Sequence, residues 1–150
     1  MADVLKKVPV REQDPKVRAT NFDEVCLGYN KEEAMAEAER CLHCKNAKCV
    51  QGCPVNINIP DFIAEVKTGN FEGAYKVISE SSALPAICGR VCPQESQCEG
   101  KCIRGIKGEA VSIGKLERFT ADWARENGIK PTPAVEKNGK KVAVIGSGPS

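Results

Sequence analysis

Apolar side chains recur at helical spacing along much of the chain, and the longest such stripe lies in residues 112–127. Its members fall three or four positions apart: Ile113, Leu116, Phe119 and Trp123. Gly128 follows, and a glycine just after the last periodic residue ends many helices. The pattern predicts a long amphipathic helix over this segment.

Two capping boxes predict shorter helices nearer the start of the chain. Asn21 stands three residues before Glu24, and Asn30 stands three residues before Glu33. In such a box the asparagine side chain accepts from the glutamate N–H, and the glutamate carboxylate accepts from the asparagine N–H. The boxes predict helices over FDEVCLGY and KEEAMAEAERCLHC, the second carrying the two cysteines of its closing CLHC on its last turn.

Two further helices are expected in the middle of the chain. Pro60 begins the segment that continues as FIAEVKT and is ended by Gly69, and Asn70 caps FEGAYKVISE. No segment before residue 140 alternates apolar and polar residues over a useful length. We therefore expect an all-α body over residues 21–128, with residues 1–20 forming an extended arm that lies on it.

Composition and charge narrow the class of protein. Hydrophobic residues make up 41% of the 150, but aromatic residues only 5%, so the core should be thin and should depend on a staple such as a metal or disulfides. The formal net charge of +2, with acids and bases interspersed, gives no case for nucleic acid or for an anionic membrane. The first residues lack the apolar core of a secretory signal, and no apolar run approaches the ~18 residues of a membrane span. We expect a cytoplasmic protein whose nine cysteines are metal ligands and not disulfides.

The cysteines fall into two dense groups, each containing Cys-Pro. The first is C-x2-C-x4-C-x3-C-P and the second C-x3-C-P-x4-C-x3-C. Zinc sites more often use two close pairs separated by a longer spacer, whereas several close thiols followed by proline are typical of bacterial iron–sulfur proteins. In two-cluster ferredoxins the cysteine before the proline binds the other cluster, which predicts that Cys53 leaves its neighbours for a second centre. A zinc site, or a cysteine-rich structural or redox-regulated module, remains the alternative.

Three stretches resemble a known family: RCLHCKNAKCVQGCPVNINIPDFI, ICGRVCPQESQCEGKC and VSIGKLERF. Over roughly residues 20–125 the chain is similar to the N-terminal iron–sulfur domain of the glutamate synthase small (beta) subunit, of dihydropyrimidine dehydrogenase and of the large subunit of NADH-dependent ferredoxin:NADP oxidoreductase. The resemblance implies an alpha-helical ferredoxin with two cluster-binding loop regions and two [4Fe-4S] clusters.

The same resemblance implies a ligand set. One cluster would be bound by Cys41, Cys44, Cys49 and Cys102. The other would be bound by Cys53, Cys92 and Cys98, with a fourth ligand that in this family can be a non-cysteine residue. Glu117 stands at the matching position, and Cys88 is the alternative fourth ligand. Nine cysteines exceed the eight that two all-thiolate clusters require, so at least one is not a ligand.

The last segments predict the start of a second domain. Residues 129–140 contain prolines, glycine and lysines typical of a linker, and KVAVIGSGPS (141–150) is a strand followed by Gly146-x-Gly148. In the family an FAD-binding domain begins there, so this would be its first strand, truncated and unable to bind FAD or NAD(P)H alone. We expect a fragment that is not catalytic alone and that passes single electrons between the parent's FAD and a large catalytic or ferredoxin-linked partner subunit. A zinc-stapled protein-interaction module, or the same domain of a dihydropyrimidine dehydrogenase, is the alternative.

Overall fold

The chain forms a mainly helical body with one small antiparallel sheet. The computed structural model describes residues 5–130, 139–141, 143, 145 and 146. Its two short strands are β1 (Arg11–Glu12) and β2 (Cys26–Gly28). Its α-helices are α1 (Pro15–Arg18), α2 (Lys31–Ala38), α3 (Lys48–Gln51), α4 (Ile59–Lys67), α5 (Phe71–Ser79), α6 (Pro85–Val91) and α7 (Ile113–Glu126), with 3₁₀ turns at Glu99–Lys101 and Ile103–Ile106.

The core lies where α4 and α5 pack on α7. The stripe predicted for α7 is confirmed, and the Phe119 ring meets the Phe71 ring edge-on at a centroid separation of 5.0 Å. Trp123 lies 5.5 Å from the same Phe71 ring. The turn between α4 and α5 is set as expected: Gly69 has φ +80°, and the Asn70 side chain accepts from the backbone of the next helix. The three helices thereby pack together behind the cysteine-bearing loops.

The α6 and α7 helices approach each other unusually closely at Gly89. A Cβ built on this glycine would lie 2.6 Å from the backbone nitrogen of Arg118, well inside van der Waals contact. Because glycine has no side chain, the backbones can meet here. The contact holds α6, which ends next to Cys92, against the part of α7 that carries Glu117.

The described part of residues 1–20 contacts the body and is not extended throughout, since it contains α1. The Val8 N–H donates to the Glu37 carboxylate at 2.7 Å, and the Tyr29 hydroxyl donates to the Val8 carbonyl at 2.7 Å. Further along the arm, Arg11 pairs with Gly28 and Glu12 with Cys26, forming the antiparallel β1–β2 ladder.

The expectation of a helix over FDEVCLGY is wrong, and with it the expectation of a body without strands. Asn21 Oδ1 accepts from the N–H of Asp23, two residues on, at 2.9 Å, which is a local turn and not a helix cap. Cys26–Gly28 become β2, because β1 offers them partners 14 to 17 residues earlier in the chain (26 − 12 and 28 − 11).

Two other boundaries differ from expectation. The Asn30–Glu33 capping box is confirmed, but α2 ends at Ala38, so Cys41 and Cys44 lie in the loop that follows it and not on its last turn. Cys88 lies within a helix, α6, where a loop was expected. Parts of the linker expected over 129–140, the strand expected over 141–150, and Gly148 lie outside the described residues; Gly146 is described, with φ +105°. None of the helices in the described part of the chain is long and apolar enough to cross a bilayer.

Candidate metal centres

Four of the expected ligands line a single cavity. Cys41 and Cys44 come from the loop after α2, Cys49 from α3, and Cys102 from between the two 3₁₀ turns. Apolar side chains from α4 and from the start of α7 complete the lining: Ile59, Ile63, Val111 and Ile113. The thiols therefore surround a space that is apolar on one side, which we call the first site.

A turn at His43 brings the first two cysteines to the same cavity. His43 has φ +47°, a left-handed conformation that is uncommon for a residue with a side chain. Its backbone N–H lies within hydrogen-bonding range of the Cys41 thiol and lowers that thiol's pKa, although burial outweighs this and raises it. Its ring Nε2 lies 3.1 Å from an Asp61 carboxylate oxygen at the surface. We therefore assign the His43 ring no role as a metal ligand.

A buried ion pair fixes the loop that carries Cys41. Glu37 and Arg40 are both fully buried, and the guanidinium donates to the Glu37 carboxylate and to the Ala110 carbonyl. The same carboxylate accepts from the Ser112 N–H at 2.8 Å, at the start of α7. The pair thus joins the loop before the first site to the segment that follows Cys102. The sequence analysis missed it; the available signal was Glu37-x-x-Arg40 directly before a cysteine.

The thiols of the first site are close enough to affect one another electrostatically. The pKa of the Cys49 thiol is raised to about 11, mainly by burial and also by the neighbouring Cys102 and Cys41 thiols. Burial likewise raises the pKa of Cys41, with Cys102 and Cys44 adding to the effect. Because a metal binds the thiolate and not the thiol, loading this site must displace protons.

The remaining expected ligands gather at a second site. Cys53 follows α3, Cys92 caps α6, and Cys98 precedes the first 3₁₀ turn. The pKa of Cys98 is raised to about 12, mainly by burial and also by the neighbouring Glu99, Cys53 and Glu117. Burial raises the pKa of Cys92 to about 11, with Cys88, Glu117 and Cys53 as charged neighbours. Cys53 therefore lies with the second site and not with the other cysteines of its own group.

Glu117 is the most unusual residue of the second site. Its residue surface is 7% exposed, and its Oε1 atom has no hydrogen-bond partner among the described residues. Burial raises its pKa to about 7. A buried polar atom without a partner is rare and calls for an explanation, and a bound metal is one such explanation. Cys88 also lies here, within hydrogen-bonding range of the Cys92 thiol, so the structure brings both candidate fourth ligands to this site.

A carboxylate behind the second site is neutralised by the N-terminal arm. Glu99, next to Cys98, is only 9% exposed; its Oε2 lies 2.6 Å from the Lys7 ammonium, and its Oε1 accepts from the Gly114 N–H at 3.2 Å. The sequence analysis assigned no role to Lys7 or Glu99, because only the folded arm brings them together.

Within the described residues, no three His, Cys, Asp or Glu side chains converge as ligands of one metal ion. A zinc site needs its ligands at about 2.0–2.3 Å from a single centre. The four ligands of a [4Fe-4S] cluster each bind a different iron, so they lie further apart than the ligands of a single metal ion.

Comparison with known proteins gives a consistent result. Residues 18–129 match the family model described as dihydropyrimidine dehydrogenase domain II, 4Fe-4S cluster. The glutamate synthase [NADPH] small chain of Escherichia coli is 38% identical over 147 residues, which is 97% of this chain and 31% of that protein. The putative oxidoreductase AegA of Escherichia coli is 39% identical over 97% of this chain and 23% of its own length. The NAD-dependent dihydropyrimidine dehydrogenase subunit PreT of the same organism is 38% identical over 86% of this chain and 31% of its own. The chain thus spans less than a third of the length of each of these relatives.

Proposed function

The chain belongs to the dihydropyrimidine dehydrogenase domain II, 4Fe-4S cluster family, and on that premise we propose that it is the iron–sulfur electron-transfer module of an NAD(P)H-dependent flavin oxidoreductase. The module relays single electrons between FAD in the parent protein and a partner subunit. The glutamate synthase small chain or a close relative is the favoured parent, since the small chains of Escherichia coli and Halomonas elongata match 97% and 95% of the chain, whereas PreT matches 86%.

We assign the first site's cluster to Cys41, Cys44, Cys49 and Cys102, and the second site's cluster to Cys53, Cys92, Cys98 and Glu117. One observation carries this assignment: the cysteine groups exchange members in space. Cys102 lines a cavity with the first group, whereas Cys53 lies with the second. The orphaned Glu117 oxygen supports a carboxylate as the eighth ligand.

A bound [4Fe-4S] cluster supplies one-electron oxidation and reduction. The protein's residues hold the ligands and set the surrounding charge. Ile59, Ile63, Val111 and Ile113 exclude water from one side of the first site. Arg104 lines the first site, whereas the second contains Glu117; the Glu99 carboxylate beside the second site is paired with Lys7. A more negative environment and a hard oxygen ligand stabilise the oxidised cluster, so the second cluster should have the lower potential.

The test is metal analysis of the chain prepared without oxygen. We expect about eight irons and eight sulfides per chain and broad absorption near 400 nm. A reproducible content of about four irons would contradict two clusters. A colourless protein with stoichiometric zinc would favour the alternative, a zinc-stapled interaction module.

The parent protein is proposed from the same comparisons. We place an arm at residues 1–20, the ferredoxin domain at 21–128, a linker at 129–140, and the start of an FAD-binding domain at 141–150, where Gly146 and Gly148 would approach the cofactor's pyrophosphate. The chain's short share of its relatives supports further domains beyond it. A cytoplasmic location fits nine reduced cysteines. Similarity to PreT keeps a dihydropyrimidine dehydrogenase as the second candidate parent. The test is to assay the longer protein with its partner subunit and NAD(P)H as reductant, either with glutamine and 2-oxoglutarate or with a pyrimidine.

A further inference from the structure

The two segments that supply the first site carry positive charge and no negative charge. Residues 41–55 contain two lysines, residues 100–108 contain two lysines and an arginine, and neither contains Asp or Glu. The whole chain is nearly balanced, with 22 Lys and Arg against 20 Asp and Glu. The local excess is therefore a property of this site. We call the five cations the basic rim: Lys45, Lys48, Lys101, Arg104 and Lys107.

The fold brings the two segments together. Lys48, Lys101 and Arg104 line the same cavity as the four thiols, and Lys45 lines the adjoining surface pocket with Cys44. The segments also touch directly, since a Cβ on Gly52 would lie 3.0 Å from the Lys101 Cγ. Residues from both segments therefore share one surface over the first site.

None of the five rim cations forms an ion pair within the described part of the chain. No described carboxylate lies within 4.0 Å of any of the five cations, whereas Arg90, Arg118 and Lys7 are all ion-paired. The four lysines are exposed to solvent. Arg104 is half-buried and donates to the Arg40 carbonyl at 2.7 Å, so it has a structural role as well.

Exposed apolar side chains lie among these cations. Leu42 is 50% exposed, Ile103 43% and Ile106 77%. Leu42 and Ile103 also line the first cavity. Apolar contacts surrounded by charges are the usual composition of a transient protein–protein interface.

We propose that the basic rim is the docking surface through which the first cluster exchanges electrons with an acidic face of a redox protein. This inference rests on the proposed function and specifies which cluster faces the partner and what charge the partner presents. Charge complementarity identifies the occupant, since unpaired lysines around a redox site attract an acidic surface and accelerate its encounter. The electron passes from the reduced cluster to the oxidised acceptor, with no proton or bond transferred.

The test compares two haem acceptors of opposite charge. The cluster-loaded chain is reduced and mixed by stopped flow with oxidised cytochrome b5, which is acidic, or oxidised cytochrome c, which is basic. In each reaction one haem iron gains the electron that one cluster loses. We expect the rate constant with cytochrome b5 to fall steeply as salt rises, and the rate constant with cytochrome c to show no such fall.

The rim variant replaces Lys45, Lys48, Lys101 and Lys107 with Gln and leaves Arg104 in place. A matched control carries the same change in net charge at four exposed cations outside the rim: Lys16→Gln, Arg18→Gln, Lys67→Gln and Lys130→Gln. At low salt the rim variant should react with cytochrome b5 at least about ten-fold more slowly, and the control less than about three-fold more slowly. Iron content and visible spectrum should match the wild type in both. The cytochrome c rate is the control for a changed cluster potential, because such a change would slow electron transfer to both acceptors.

Equal slowing in the rim variant and the control would show that only the net charge of the chain matters. That result would overturn the proposed docking surface. An unchanged cytochrome b5 rate in the rim variant would overturn it as well. If the loaded wild type reduced neither acceptor, the proposed electron-transfer function would fail, and this inference would fail with it.

Discussion

Gly89→Ala should remove the second cluster and spare the first. In an ordinary helix this change is favourable by about 1 kcal/mol, because alanine restricts the unfolded chain and glycine does not. Here the new Cβ would lie 2.6 Å from the Arg118 nitrogen and 2.8 Å from its Cα. Comfortable contact begins near 3.5 Å, so α6 must move away from α7 by roughly 1 Å.

A shift of that size is large for metal ligands, whose distances must hold within about 0.2 Å. Cys92 caps α6 and Glu117 lies on α7, so the shift separates two ligands of the second site. Both backbones are held by their helices, and the clash involves backbone atoms that cannot rotate away. The ligands of the first site lie on neither helix. Iron content should therefore fall from about eight to about four per chain, with one of two reduced-state paramagnetic resonance signals lost.

Gly105→Ala is the matched control. Its nearest neighbour would be the Ala110 Cβ at 3.7 Å, which is ordinary contact, so this variant should keep all its iron. If Gly89→Ala also kept about eight irons and both signals, the contact between α6 and α7 would not set the second site. That result would also favour Cys88 over Glu117 as the fourth ligand, since Cys88 moves with Cys92 on α6.

Three further outcomes are expected. Glu117→Cys should change one paramagnetic resonance signal and leave the other, because a thiolate replaces an oxygen ligand at one site only. Cys88→Ser should change neither signal. Loss of a cluster in Cys88→Ser alone would show that Cys88 is the fourth ligand. Glu37→Ala should lower the free energy of unfolding by about 3–5 kcal/mol, because it leaves Arg40 buried without its carboxylate; urea unfolding followed by circular dichroism measures this, and a loss below about 1 kcal/mol would contradict it. Removing iron with a chelator should lower helix content and expose the region between the cysteine groups to protease, and an apo form as thermally stable as the loaded one would show that the helices pack without the clusters.

The helices that could be predicted from the sequence are those whose signals are local and agree with one another. In α7 the apolar stripe and Gly128 indicate the same boundaries, and in α5 the Asn70 cap marks the start of the helix. Asn21 shows where such reasoning fails. An asparagine side-chain oxygen accepts a hydrogen bond both in a helix cap and in a local turn, and the two differ in whether the following residues form helix or strand hydrogen bonds. The β1 strand decided that outcome, and the sequence around Asn21 contains no sign of it.

The candidate sites show the same division. The cysteine spacing and the family resemblance were enough to predict an iron–sulfur domain, which the family match supports, while the division of the ligands between two clusters stays a prediction. The supports of the sites were not predictable. Arg40 donates to the Ala110 carbonyl, 70 residues further along the chain (110 − 40), and Lys7 reaches Glu99 across a similar separation. Such contacts follow from the packing of the whole body and leave no pattern in the neighbouring residues.

The exchange of cysteines between the two groups also constrains how this domain can evolve. Each site draws on segments that lie on both sides of α4 and α5. With the ligands proposed above, a recombination break anywhere between Cys53 and Cys92 would leave two incomplete centres and no working one. Neither centre can be gained, lost or transplanted by itself, and the pair must be inherited as a single unit.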